Sequence, residues 1–272
     1  MQSLFSAAGR ARLDEIVQPG VLCAFDFDGT LAPITSEPGQ ARMAPAVLQR
    51  LLMLSSLTPI AILTGRSLAD IRTRLGFDPP YVVGNHGLEG MTDESDLARH
   101  EDCSRAWRAQ LAPLLARDAR LGAAVRMEDK RYSVSLHYRG SPDHAAAAAW
   151  LTALAGRLEP APRIVGGKCV LNLLPPGAAD KGSALREVLR RSGAPGAIYV
   201  GDDVTDEAVF RLPRTRLLSV RVECVAASAA QFCIPGHADI ARLLDELSRR
   251  LRRREPGKAA QLAGPAGACG HS

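Results

Sequence analysis

Apolar positions along the chain fall into short runs that alternate with stretches of helical spacing. Val21 to Phe25 (VLCAF) is a continuous apolar run that ends in acid and then glycine, the form of a buried strand feeding a loop. Ala44 to Leu57 carries Val47, Leu51 and Leu54, with Leu48 and Leu52 beside them, which is the spacing of a helix face. After Pro59, Ile60 to Leu63 (IAIL) reads as a second buried strand that stops at Thr64-Gly65-Arg66. Ser67 is placed to cap a helix running to about Leu75, and Tyr81-Val82-Val83 reads as a third strand closing at Gly84-Asn85-His86-Gly87. Apolar strands separated by helices predict a parallel sheet covered on both faces.

The rhythm changes near residue 92. A long polar helix is predicted from about Leu97 to Leu121, followed by two runs with no helix between them, Ala123 to Glu128 and Arg131 to Tyr138. The second alternates as a half-exposed antiparallel strand does, and Asp129-Lys130 suits the turn. An alanine-rich helix around Asp143 to Leu158 comes next, then Arg163-Ile164-Val165, Gly166-Gly167 and a strand from Cys169 to Leu174. A meander with helices is an α+β pattern, so residues 92–175 are expected to form an inserted cap domain. The α/β rhythm returns with a helix over Lys181 to Ser192, a strand over Ala197 to Val200, a helix over Thr205 to Phe210, a strand over Leu217 to Val222 and an amphipathic helix from Ala238 to Arg254. The expected architecture is α/β, a Rossmann-like core from residues 1–91 and 176–251 with a parallel sheet, interrupted by the α+β cap. Residues 252–272 are expected to be a disordered tail, because the chain from Pro256 is Gly, Ala and Pro with few large apolar groups.

Composition narrows the function classes. With 272 residues, 46% hydrophobic and 23% charged, the chain is in the ordinary globular range, and at ~150 residues per domain it makes one to two domains. No apolar run reaches the ~18 residues a membrane-spanning helix needs. The first residues are charged where a signal peptide needs an apolar stretch, so a cytoplasmic protein without membrane partners is expected. The net charge of +5 raises nucleic acid as a partner. Much of the excess sits in Arg249, Arg250, Arg252, Arg253 and Arg254, a run that reads first as a solvated face, and aromatics at 4% leave little for base stacking. No nucleic-acid partner is therefore expected; a binding or scaffold protein using the basic tail is the rival of a different class. The six cysteines, Cys23, Cys103, Cys169, Cys224, Cys233 and Cys269, contain no CxxC pair and are expected to be reduced.

Four constellations carry chemistry. Asp26-Phe27-Asp28-Gly29-Thr30 follows the first apolar strand, and two carboxylates at a strand's carboxyl end lie where open α/β sheets bind ligands. In different environments they can divide labour as nucleophile and acid/base. Thr64-Gly65-Arg66 combines a hydroxyl with helix N-terminal amides; it reads either as an anion site or as a helix N-cap. Lys181 opens a helix, where a cation is electrostatically misplaced, so either a bound anion or carboxylates hold it, or it is a surface lysine. Gly201-Asp202-Asp203-Val204-Thr205-Asp206-Glu207 packs four acids into six residues, an oxygen-rich set suited to magnesium, although a plain acidic helix start accounts for Asp206 and Glu207.

Taken together, DFDGTL, TGR, DKG and GDDVTDE resemble the four motifs of haloacid-dehalogenase-like phosphatases. The likeness is closer to trehalose-6-phosphate phosphatases, on Gly84-Asn85-His86-Gly87-Leu88-Glu89, Glu128-Asp129-Lys130 with His137-Tyr138-Arg139, and Gly167-Lys168-Cys169-Val170. It covers roughly residues 20–250. The resemblance implies Asp26 as nucleophile, Asp28 as acid and then base, and Thr64 and Lys181 holding the phosphoryl oxygens. It implies Mg2+ on Asp26, the Asp28 carbonyl, Asp202 and Asp203, with Asp206 in support. It offers Thr30, Gly65, Arg66, Asn85, His86, Glu89, Glu128, Lys130, His137, Arg139 and Asn172 as substrate contacts. Asn172 stands where the family pattern leads one to expect glutamate, so sucrose phosphate and mannosylglycerate phosphate stay as alternative substrates. A small-molecule partner and a monomer or weak dimer are expected.

Overall fold

The computed structural model describes residues 1–35, 38–118 and 122–254. Its larger sheet has seven strands, β1 (Gln2–Ser3), β2 (Leu22–Phe25), β3 (Ile60–Leu63), β4 (Tyr81–Val83), β9 (Ala197–Gly201), β10 (Leu217–Val222) and β11 (Phe232–Ile234). Their spatial order is β1-β11-β10-β9-β2-β3-β4, and every neighbouring pair is parallel. The chain builds outward from β2 through β3 to β4, then returns to the other side of β2 for β9, β10 and β11. The order therefore reverses at β2, and the crevice beyond its carboxyl end is the natural ligand position of such a sheet.

Both sheet faces are buried, as the unbroken apolar strands require. Cys23, Phe25, Ile60, Ile62, Ile198 and Val200 point to one face, packed by α1 (Ala7–Ile16), α2 (Pro45–Ser55) and α8 (Ile240–Arg254). Leu22, Ala24, Ala61, Leu63 and Tyr199 point to the other, covered by α6 (Lys181–Ser192) and α7 (Glu207–Phe210). Side chains alternate along each strand, so one strand serves two cores.

The smaller sheet is antiparallel, β5 (Arg126–Asp129), β6 (Val134–His137), β8 (Val170–Leu174) and β7 (Arg163–Gly167) in that spatial order. One face packs Val134, Leu136, Leu171 and Leu173 against Trp107 and Leu111 of α4 (Glu94–Arg117) and Ala147 and Leu151 of α5 (His144–Ala155). The other face looks toward the carboxyl end of β2, because its side chains line the cavity described below.

Several expectations need correction. Two elements that the pattern did not mark, β1 and α1, precede β2, with Ser6 capping α1. A third helix, α3 (Leu68–Leu75), has Ser67 as its N-cap, as expected. The polar helix α4 begins at Glu94 and ends at Arg117, and Gly166-Gly167 belong to β7, leaving the turn to Lys168 and Cys169. The stretch expected as one helix from Thr205 is a 3₁₀ turn, Val204–Asp206, followed by the short α7. Arg252, Arg253 and Arg254 are helical and end α8; residues 255–272, the rest of the expected tail, lie outside the described residues. The basic run is only partly solvated, since Arg250 is buried and paired with Asp14 and Glu246. The cysteines are not all reduced: Cys224 and Cys233 form a disulfide, while Cys23, Cys103 and Cys169 are free. Parallel pairing of β10 with β11 sets Val222 opposite Ile234 and so brings the two flanking cysteines together.

Candidate active site

β2 delivers Asp26 to the crevice. Its backbone N–H is bonded to Val200 of β9, and its side chain is buried. The following turn requires Gly29: φ is 85°, and a Cβ there would come within 2.1 Å of Asp202 Oδ2. That closeness joins the first motif to the fourth, and Thr30 Oγ1 donates to Asp202 Oδ1 at 3.3 Å.

α6 delivers Lys181. Asp180 and Ser183 form a reciprocal capping box at its start, so Lys181 is the first helical residue and is only 2% exposed. Its Nζ donates to Asp26 Oδ1 at 2.9 Å and Asp206 Oδ1 at 2.8 Å. The misplaced cation is thus held by carboxylates, and the surface-lysine reading falls. Desolvation opposes its charge, but Asp206 and Asp26 outweigh it and hold its pKa far above the usual lysine value. Burial pushes the Asp26 carboxyl well up; Lys181 opposes this, and Asp206 and Asp202 add to it.

Asp206 is the hub of the acidic loop. Its Oδ2 accepts from the backbone N–H groups of Asp202 and Asp203, each at 2.9 Å. Its Oδ1 accepts from Lys181 and, at 2.6 Å, from the Tyr199 hydroxyl. Four donors fill the lone pairs of one carboxylate. One oxygen each of Asp26, Asp202 and Asp206 lie within 4.8 Å of one another. Asp206 is already satisfied, so among these three a cation has Asp26 and Asp202 available. Hard oxygen donors and clustered like charge fit a divalent ion such as magnesium. Burial, with Asp206 beside it, raises the Asp202 carboxyl to about 6, against the pull of Lys168.

The second motif curls around the same point. Thr64 is buried at the end of β3, and its Oγ1 accepts from the Arg66 N–H at 3.2 Å. The Arg66 guanidinium holds both Asp28 oxygens, each at 2.6 Å, and reaches Asp70 at 2.7 Å. Consecutive left-handed residues, Asn85 and His86, let the loop after β4 bond back to this turn, Asn85 N–H to Arg66 O and His86 N–H to Thr64 O. The His86 ring fills the space above Gly65, where a Cβ would lie 2.4 Å from its Cε1. Burial and the charges of Lys130 and Lys181 hold this imidazole well below its usual pKa, so it is neutral.

The smaller sheet closes the cavity from above. Glu128, Lys130, His137, Arg139, Lys168 and Asn172 line it together with Asp26, Asp28, Gly65, Arg66, His86, Lys181, Asp202 and Asp203. Lys130 Nζ donates to Gly65 O at 3.0 Å, and His137 Nε2 sits 2.6 Å from Glu128 Oε2. Asn172 accepts from Ser135 at 2.7 Å. Arg139 reaches the carbonyls of Lys168 at 3.3 Å and Thr35 at 3.5 Å.

Five residues nominated from the sequence, the buried Asp206 among them, do not line this cavity. Thr64 and Thr30 lie beneath it, in the contacts given above. Asn85 is spent joining the two sheets, donating to Lys130 O at 2.8 Å and accepting from Ser133. Glu89 accepts from the Leu68 N–H at 2.7 Å, at the start of α3. Sequence reasoning in turn missed three residues. Lys168 lies in the β7–β8 turn, and its Nζ is 2.9 Å from Asp202 Oδ2. Tyr199 is the polar member of an apolar strand, a signal that a partner is needed. Arg221 is buried and donates to Asp202 O at 2.6 Å; a charge inside the otherwise mostly apolar strand LLSVRV is the signal that marks it.

A reversing parallel sheet, an inserted antiparallel layer, and an acid pair at the switch strand facing a buried lysine define a haloacid-dehalogenase-like protein with a cap. A family model described as trehalose-phosphatase matches residues 24–233. The trehalose-phosphate phosphatase of Mycobacterium tuberculosis is 33% identical over 248 residues, covering 86% of this chain and 62% of that protein. The chain belongs to the trehalose-phosphatase family. It therefore spans less than two thirds of that curated relative's length. Among solved structures, a trehalose-6-phosphate phosphatase related protein superposes with a TM-score of 0.67 at 23% identity, over 84% of this chain and 97% of the other. The C-terminal domain of the C. albicans trehalose-6-phosphate phosphatase gives 0.67 at 19% identity, over 88% and 96%. These two likenesses concern the fold.

Proposed function

We propose that the chain is a magnesium-dependent phosphatase that hydrolyses trehalose 6-phosphate to trehalose and phosphate. The observation that carries this reading is one cavity with two unlike walls. Asp26, Lys181 and Asp202 form its floor, and Glu128 and His137 of the second sheet, with Lys130 and Arg139 just beyond its strands, form its roof. The floor suits a phosphoryl group and the roof suits a polyhydroxylated remainder. The division we propose is a core of residues 1–91 and 176–251 and a cap of 92–175.

The Asp26 carboxylate attacks phosphorus, the bond from phosphorus to the sugar oxygen breaks, and Asp28 supplies the proton that oxygen needs. Asp28, now ionised, takes a proton from water, which attacks the aspartyl-phosphate and frees Asp26 and phosphate. Arg66 keeps Asp28 aimed while each carboxylate oxygen retains a further lone pair. Lys181 offsets charge on the phosphoryl oxygens, while Thr64, beneath the cavity, holds the Arg66 N–H and so the turn that carries Arg66. Asp26, the Asp28 carbonyl, Asp202 and Asp203 would hold magnesium, which when bound offsets the negative charge gathered at this floor.

Phosphate release from a panel of sugar phosphates, with magnesium and with EDTA, tests the reading. Trehalose 6-phosphate is expected to be the best substrate, and only with the metal. Full turnover in EDTA-treated protein overturns the metal assignment. Preference for sucrose phosphate or mannosylglycerate phosphate moves the substrate, an outcome that Asn172 on the roof keeps open. A salt-sensitive shift on DNA with no phosphatase activity would restore the rival built on the basic run.

A further inference from the structure

Outside the acidic floor, the fold brings a thiol and an imidazole together. Cys169 Sγ lies 3.7 Å from His144 Nδ1. Cys169 occupies the β7–β8 turn with φ 60°, a left-handed conformation uncommon for a non-glycine residue. Both its neighbours, Lys168 and Val170, line the cavity, while its own side chain is partly buried against the core under α5, on the other side of the turn. His144 opens α5 and is exposed. Its second ring nitrogen, Nε2, is 3.1 Å from the backbone oxygen of Arg139. A carbonyl only accepts, so Nε2 carries the hydrogen and the lone pair of the neutral ring is on Nδ1, facing sulfur. A nucleophile, a proton acceptor and a group that orients the acceptor are thereby assembled.

The other free thiols described differ. Cys23 is buried in β2, and burial pushes its thiol up to about 12. Burial, with Asp102 beside it, also raises Cys103.

We propose that Cys169, with His144 as its proton acceptor, is a modification site for small disulfides, and that the mixed disulfide formed there displaces the turn that holds Lys168 against Asp202. His144 Nδ1 takes the thiol proton and the Cys169 sulfur attacks one sulfur of the incoming disulfide. A new S–S bond forms and the old one breaks. Its electron pair leaves on the second sulfur, which collects the proton from His144. The incoming disulfide is the oxidant and is reduced to one thiol. The adduct stands on the turn whose Lys168 is bound to Asp202, and beside Arg139, which lines the cavity and holds the Lys168 carbonyl. An added tripeptide-sized group there disturbs those contacts. This last consequence rests on the phosphatase reading; the reactivity does not.

The test incubates the full chain with oxidised glutathione and follows each cysteine by quenching and peptide mass mapping. Cys169 is expected to react at least about 10-fold faster than Cys103, and His144→Gln to slow Cys169 by about 10-fold without altering Cys103. Equal rates at the two cysteines, or an unchanged Cys169 rate in His144→Gln, overturns the site. These rates need no substrate, so they stand or fall apart from the proposed activity. Hydrolysis of trehalose 6-phosphate is expected to fall as the Cys169 adduct accumulates and to return with dithiothreitol. Cys169→Ser should keep its activity under the same treatment. A complete adduct with unchanged turnover overturns the link from this turn to the site.

Discussion

Asp26 and Glu128 show how single carboxylates differ in purpose. Asp26 is buried and held by Lys181. Asparagine keeps an oxygen for that lysine but cannot attack phosphorus, so Asp26→Asn is expected to fold normally and to show no hydrolysis above background. Thermal melting and phosphate release on the same preparation check both halves; residual activity within a few-fold of wild type contradicts the nucleophile. Glu128 is partly exposed. Burial raises its carboxyl, but the His137 hydrogen bond and the charges of Lys130 and Arg126 outweigh this and hold it down at about 2. A depressed carboxylate contributes stability that is present above its unfolded value of 4.5 and is lost as pH falls through about 2. With the side chain 36% exposed, solvent screening reduces that contribution to about 1 kcal/mol. Urea unfolding should therefore show Glu128→Gln weaker than wild type by about this amount at neutral pH, with the gap shrinking toward about pH 2.5. A gap independent of pH would mean lost packing, not lost charge.

At the scale of elements, the site depends on how closely two loops approach. The turn after β2 and the acidic loop after β9 touch through Gly29 and Asp202. Gly29→Ala adds a Cβ at 2.1 Å from Asp202 Oδ2 on a backbone with φ 85°. The strain of a left-handed alanine and the displaced carboxylate together are expected to cost about 2 kcal/mol or more. Chemical unfolding checks this, and hydrolysis should fall with it because Asp202 moves. Lys168 makes the corresponding contact from the second sheet. Lys168→Ala removes a cation that offsets the Asp202 charge. Its loss is expected to reduce kcat/KM for trehalose 6-phosphate by roughly 10-fold, the scale of one charged hydrogen bond, while the melting temperature changes little.

At the scale of the whole molecule, the segment after β10 is tied to β11, one strand in from the sheet's edge, by the Cys224–Cys233 disulfide across a sequence separation of 9. Closing so short a loop restricts the unfolded chain modestly, and Cys224→Ser is expected to lower unfolding free energy by about 2–3 kcal/mol. Wild type in reducing buffer should match the variant, and the variant should be indifferent to reductant. No helix among the described residues is long and apolar enough to cross a membrane. The Arg-rich end of α8 is partly consumed inside the molecule: Arg250 and Arg254 both contact Asp14 of α1, residues more than 230 positions apart in sequence.

Much of this protein is determined by local pattern. Continuous apolar runs such as VLCAF and IAIL need burial on two faces, which parallel strands under helices supply, and Ser67, Asp143 and Asp180 cap helices where their side chains reach free N–H groups. The acid motifs are legible for the same reason: they sit directly at strand ends, where local chemistry and ligand position coincide. Pairing between distant segments is not local and was decided only by the tertiary structure. Two-residue β1 and three-residue β11 have too few positions to show a period, and α1 has only Leu13 and Ile16 as large buried anchors. Lys168 meets Asp202, Asn85 meets Lys130, and Cys224 meets Cys233 because sheet register and layer packing bring them there. Asp206, which also reads as an ordinary acid in a helix's first turn, becomes the hub of the site once Lys181, Tyr199 and two backbone amides converge on it from β9, its loop and α6.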